Sequence, residues 1–196
     1  MHTSVQNCLR FKRAVNDAYA LYLRGELDES IRRALDAKPQ INDPKYLRRL
    51  LSNMGMAYFD KGEFDSAVEC YAEALELPVD DAEDRFESAV VEGNMANAFV
   101  ALNRAEESHL FLDRAERVLR EAREPVWLGD RLETRARAYL LEGRHKEAIG
   151  AAKEAVDLHW CAFNVEALAQ SIKTLAVCFE AFERAEMREE AAGTIR

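Results

Sequence analysis

The fold class predicted is all-α, a solenoid of about five antiparallel helix-turn-helix repeats. Three observations predict it. Ala, Glu, Leu and Arg dominate the 196 residues while Gly (8) and Pro (4) are scarce, and the abundant residues cost little in a helix interior. One residue pattern recurs about every 40 positions along the whole chain, as stacked repeat units require. All four prolines fall between predicted hairpins; none interrupts a helix, where it would cost about 3 kcal/mol. The alternating β-branched runs that mark strands are absent.

Each unit begins with a small residue, followed three positions later by a large apolar one. Four residues further comes a turn residue, and then a second helix with small residues of its own. The small anchors Ala18, Gly55, Ala96, Ala136 and Ala176 lie 37, 41, 40 and 40 residues apart. In the first unit Ala18, Leu21 and Gly25 precede Ser30, Ala34 and Ala37. The second is the clearest, with Met54, Gly55, Tyr58 and Gly62 before Ala67, Tyr71 and Ala74. The third runs Ala96, Phe99, Asn103, Ser108, Leu112 and Ala115, and the fourth Ala136, Tyr139, Gly143, Ala148, Ala152 and Ala155. A degenerate fifth has Leu175, Ala176 and Phe179, with Glu183 at the turn position.

The small residues let two helices cross closely, and the ring three positions on shares their face. Gly25, Gly62, Asn103 and Gly143 stand where the first helix must stop, in a conformation Gly and Asn accept. Asp28 and Asp65 start the second helices, where negative charge suits the dipole. Asp43-Pro44 reads as an N-cap and a first-turn proline. Helix pairs are therefore expected over 8–24 and 27–38, 44–61 and 64–77, 82–102 and 105–121, 126–142 and 145–158, and 163–182 and 186–195. One domain would span 1–196, with repeats near 8–38, 44–78, 82–121, 126–158 and 163–196.

Leu51, Met54, Gly55, Tyr58, Ala67, Tyr71, Ala74 and Pro78 resemble the tetratricopeptide repeat. The period near 40 is similar to the extended repeats of the Pins/rapsyn group, kinesin light chains and bacterial signal-responsive regulators. The resemblance implies a right-handed superhelix whose concave face, lined by the first helix of each pair, binds a peptide or helix of a partner protein. A subclass clamps a C-terminal carboxylate; of its matching positions Val15, Tyr19, Asn53, Val90 and Asn94, only Asn53 fits, which argues against that clamp.

On that geometry, the groove is expected to carry Val15, Tyr19 and Tyr22, then Ser52, Met56 and Phe59, then Asn97, Glu133, Arg137 and Lys173, with Lys12 and Arg49 one turn earlier. The N-terminal half would be aromatic and apolar, edged by positive charge; Tyr22 and Phe59 fit equally as core between repeats. Trp127 and Trp160 read as staples of one repeat on the next, with ligand stacking the alternative. Two functions follow: an adaptor or scaffold binding a protein segment or peptide, or a regulatory module sensing a peptide effector.

The charge of −9 repels a phosphate backbone, so nucleic acid is not an expected partner. No apolar run reaches the ~18 residues of a membrane span, and the N-terminus lacks the apolar segment of a signal peptide; the cytoplasm is the expected location. Cys8, Cys70, Cys161 and Cys178 are widely spaced, which suits reduced, mostly buried thiols. No glycine-rich phosphate loop, Gly-x-Ser-x-Gly or His-Glu-x-x-His motif occurs, and His2, His109, His145 and His159 are isolated in sequence. No enzyme, metal or cofactor is expected. The fifth repeat has no further capping helix, so either it caps itself or its edge pairs with a second copy in a homodimer.

Overall fold

The computed structural model describes residues 2–194, with side chains for 6–188. The described residues form nine α-helices: α1 (His2–Leu23), α2 (Leu27–Ala37), α3 (Pro44–Asp60), α4 (Phe64–Leu75), α5 (Ala82–Ala101), α6 (Ala105–Ala122), α7 (Pro125–Leu141), α8 (His145–Cys161) and α9 (Val165–Thr194), with a short 3-10 turn over Lys38–Gln40. The all-α array of sequential helix pairs agrees with the predicted one, and four pairs fall within a few residues of the expected bounds.

The fifth pair differs. The two helices expected over 163–182 and 186–195 are one continuous helix, α9, so no turn forms at Glu183. Glu is a good helix former and 183 offers neither Gly nor Asn, so nothing stops the helix there. Ile195, assigned to the missing second helix, lies outside the described residues. Packing divides the chain at the α5–α6 turn into two compact units, Met1–Leu102 and Asn103–Arg196.

In the first unit, α3 packs on α4 and α1 on α2, and the first helices also touch in series, α1 on α3 and α3 on α5. The small anchors are where the helices cross. Ala18 is fully buried, and its carbonyl accepts from Ser30 Oγ at 2.8 Å. At Gly55 a Cβ would stand 2.4 Å from the ring of Tyr71, so only glycine allows that ring to lie across α3. Asp43 caps α3, accepting from the amide of Lys45 at 3.0 Å, with Pro44 in the first turn. Gly25 and Gly62 and, in the second unit, Asn103 and Gly143 adopt the positive φ predicted for the turns.

The second unit packs α6 on α7, α7 on α8, α8 on α9 and α7 on α9. One cluster of its core is Ala136, Ala148, Ala151, Ala152 and Cys178, closed by Tyr139, Leu140, Ile149 and Leu175, and Leu112, Leu119, Leu128 and Leu132 are buried as well. Arg123 and Phe163 also have positive φ, a costly conformation for residues with a Cβ. Phe163 is 90% exposed as well. Trp160 is 68% exposed, so it does not staple the repeats. Two of the four thiols, Cys8 and Cys161, are exposed and only Cys70 and Cys178 are buried.

Candidate functional site

In the first unit, α1 and α3 bring several of the expected groove residues to their surface. Lys12, Val15, Tyr19 and Tyr22 fall on one stripe of α1, and Ser52, Met56 and Phe59 on one stripe of α3. Tyr19 is 38% exposed and stacks on Tyr22, centroids 5.8 Å apart. Tyr22 is half-buried and hydrogen-bonds the carboxylate of Asp60. Burial first, and that carboxylate second, hold its phenol well above the ordinary value. Ser52, Met56 and Asn97 are half-buried, and Lys12 is exposed. Phe59 leans on Phe64 across the α3–α4 turn, 5.1 Å between centroids, so it also serves the hairpin core.

Two expectations in this unit are corrected. Val15 is 5% exposed and belongs to the core with Phe11 and Ala18, because those three follow the i, i+4, i+7 spacing of a buried stripe. Arg49 is no free positive edge: it is clasped by Glu87 at 2.7 Å and Glu83 at 3.0 Å, both on α5. Lys45 pairs with the same Glu83. The face is thus aromatic and apolar, with its arginine charge offset.

In the second unit, Glu133, Arg137 and Lys173 come from the packed helices α7 and α9. Arg137 and Lys173 are exposed, and Arg137 donates to Thr134 Oγ1 at 3.3 Å. A shallow cleft of about 520 Å³ lies beside them, lined by Asp130, Glu133, Asn164, Glu166, Gln170 and Lys173 among others. Glu133, expected as a free groove charge, is instead 8% exposed and accepts from Ser171 Oγ.

That contact belongs to a lock that the sequence did not reveal. His159 is fully buried; its Nδ1 lies 2.7 Å from Ser171 Oγ, and its Nε2 donates to the Val126 carbonyl at 3.1 Å. A Cβ at Gly129 would stand 2.3 Å from the ring. Asp130 Oδ1 and Glu133 Oε1 lie 3.5 and 3.7 Å from the imidazole nitrogens. Burial pushes both carboxyls above their ordinary values. Ser171 and His159 resemble hydrolytic chemistry only in type: both are sealed from solvent and their polar atoms are spent joining α7, α8 and α9. A second lock serves the first unit. Arg48 is buried, pairs with Asp84 at 2.8 Å and donates to the carbonyls of Leu77 and Pro78. Burial alone would raise the Asp84 carboxyl, but the Asp80 amide and the Arg48 guanidinium hold it below the ordinary value. Neither lock could be read from spacing, since the partners lie 36 and 12 residues apart. Among the described residues no group of three or more His, Cys, Asp or Glu is placed to hold a metal ion, and no helix is long and apolar enough to cross a membrane.

Comparison with known proteins places this geometry. Residues 46–121 match the tetratricopeptide repeat family. No curated protein matches the chain. Among solved structures, BtubC from P. vanneervenii is similar at a TM-score of 0.76 and 17% identity, over 100% of this chain and 83% of that one. The repeats of a putative kinesin light chain from Podosopora anserina match at 0.70 and 16%, over 95% and 93%. PlcR from Bacillus thuringiensis, in complex with the peptide PapR7 and DNA, matches at 0.69 and 16%, over 92% of this chain and 66% of that one. At these identities the likeness is one of fold. The repeats in residues 46–121 are those of the tetratricopeptide repeat family, and the chain as a whole shares the fold of these helical-repeat structures.

Proposed function

We propose that the chain is a protein-interaction module, an adaptor or scaffold, that holds a peptide or helix of a partner protein on the first helices of its repeats. The observation that supports it is the face formed by α1 and α3. Tyr19, Tyr22, Met56 and Phe59 stand partly open there on helices held rigid by the Arg48–Asp84 lock and the Arg49 clasp. Partly open aromatic and Met side chains on a rigid support are what a groove offers to the few anchors that dominate peptide binding. The partner segment that fits is apolar and aromatic, because the charge of Arg49 is already offset.

The tetratricopeptide fold commonly serves protein interaction, and PlcR, similar in fold, was crystallised with a peptide. That relative also favours a second reading, a module that senses a peptide effector within a regulatory system. The two separate by experiment. A pull-down from native extract compares wild type with Tyr19→Ala/Met56→Ala, with helicity checked by circular dichroism. An adaptor retains a protein partner that the folded variant releases. A sensor retains none, and instead gains thermal stability from a short peptide. A partner held equally by both forms would remove α1 and α3 from the site.

A further inference from the structure

The lock of Glu133, Ser171 and His159 asks more of one hydroxyl than it can give. Ser171 Oγ carries a single hydrogen. It lies 2.7 Å from His159 Nδ1 and also bonds Glu133 Oε1. The Val126 carbonyl, 3.1 Å from Nε2, can only accept, so Nε2 carries a hydrogen. Two arrangements satisfy every contact. In one, both ring nitrogens are protonated: Nδ1 donates to Ser171 Oγ, whose hydrogen goes to an ionised Glu133. In the other, Glu133 is protonated and donates to Ser171 Oγ, whose hydrogen goes to the bare Nδ1 of a neutral ring. The two hold the same number of protons and differ only in where one of them sits.

Without that proton no arrangement satisfies the lock. With a hydrogen on Nε2, Ser171 serves either Glu133 or Nδ1 and leaves the other bare. With it on Nδ1 instead, the lone pair of Nε2 faces the Val126 carbonyl. His159 and Ser171 are fully buried and Glu133 is 8% exposed, and a buried acceptor without a donor carries the full cost of its lost water. Other charges face the lock. From α7, Asp130 Oδ1 stands 3.5 Å from Nε2 and favours a charged ring, and Arg131 favours an ionised Asp130. From α9, Glu166 and Lys173 line the cleft that Asp130 and Glu133 also line. The carboxylates that α6 brings to α7, Asp113 and Glu116, are taken by Arg135. Burial is the largest influence on Glu133 and holds its carboxyl above the ordinary value, against the Ser171 hydroxyl, His159 and Arg137.

We propose that Glu133 and His159 hold one proton in common through Ser171, and that its loss as pH rises releases α9 from α7 and α8. Glu133 lines the open cleft and is the route by which the proton reaches water. Ser171 is the member of the lock that α9 contributes. The buried side chains of α9 among the described residues are Ser171, Thr174 and Cys178. Apolar area alone therefore holds this helix weakly, and the lock carries a large part of its attachment. Glu133 and His159 titrate as a pair. In the unfolded chain the corresponding proton sits on an ordinary histidine, near ~6.5, whereas the folded lock holds it more tightly. The contribution of the lock is thus complete below the unfolded value and lost as pH rises through the folded one. The switch belongs to the second unit and does not depend on the α1–α3 face.

Amide hydrogen exchange of the full chain across a pH series tests it, with opening constants corrected for the intrinsic pH dependence of exchange and α3 as the internal reference. In the wild type, opening of α9 is expected to grow as pH rises above about 6.5, by up to about tenfold per pH unit, the slope of a single proton, while α3 stays level. Glu133→Gln reproduces the protonated lock, because its amide donates to Ser171 Oγ and frees the hydroxyl hydrogen for Nδ1. That variant is expected to keep α9 docked and to lose the dependence. Ser171→Ala, with helicity checked by circular dichroism, is expected to open α9 at low pH, where the wild type is closed. A wild-type α9 whose opening ignores pH overturns the proposal, as does an α3 that opens in step with it. So does a Glu133→Gln variant that keeps the dependence or fails to fold, or a Ser171→Ala variant as closed as wild type at low pH.

Discussion

Gly55 is the point at which α3 and α4 come closest to the limit of their packing, with Tyr71 2.4 Å from where a Cβ would stand. The repeat places a small residue there, and the ring of Tyr71 occupies the space a Cβ would need. Gly55→Ala is therefore expected to destabilise the fold by about 1–3 kcal/mol through overpacking, measured by urea unfolding, with Gly55→Ala/Tyr71→Leu recovering part of the loss. Ser171 makes the complementary case. Ser171→Ala leaves His159 Nδ1 and Glu133 without their shared partner, and an unsatisfied buried polar group costs about 1–3 kcal/mol. A variant as stable as wild type would show that the lock contributes nothing. Gly55 could be read because its role repeats; Ser171, His159 and Gly129 could not, because their meeting is particular to one place in the chain. Val15 lies in the core and not the groove because Phe11, Val15 and Ala18 form one buried stripe, and core packing takes precedence over the groove register of the family pattern.

The elements divide in the same way. Eight helices follow from periodicity and turn residues, while the repeat pattern alone predicts two helices where α9 is one, because no helix-stopping residue stands at Glu183. The unbroken course of α9 leaves Ala176 uncovered, a consequence invisible until the helix is seen whole. The element most dependent on long-range chemistry is α3. Its Arg48 holds Asp84 and the carbonyls that precede α5. Arg48→Ala strands the Asp84 carboxylate, and breaking such a buried pair costs about 3 kcal/mol or more. Hydrogen exchange is expected to show faster opening of the α4–α5 connection in that variant. Arg48→Ala/Asp84→Ala should be less damaged than the single substitution, since no charge is left behind.

At the scale of the whole molecule, the carboxyls of the two locks respond to acid with opposite sign. Asp84, in the first, is held below its ordinary value, so its contribution is present above the unfolded-chain value and lost as pH falls through the folded one. Asp130 and Glu133, in the second, are raised by burial. Between the unfolded and folded values the native state binds more protons, so their contribution declines as pH rises through that window. Urea unfolding across a pH series should therefore show Asp84→Asn flattening the acid limb and Glu133→Gln flattening the limb toward neutrality. The reverse assignment would contradict the buried geometry of both carboxyls.

The central claim is that the first helices of the N-terminal repeats hold a partner segment. The measurement that tests it most directly is a hydrogen-exchange footprint of the wild type with a peptide selected from a random library for binding to it. The account predicts an apolar, aromatic peptide that slows exchange in α1 and α3 and binds at least about tenfold more weakly to Tyr19→Ala/Met56→Ala, a loss of about 1.4 kcal/mol. Protection confined to α2 and α4, with affinity unchanged in that variant, would contradict it.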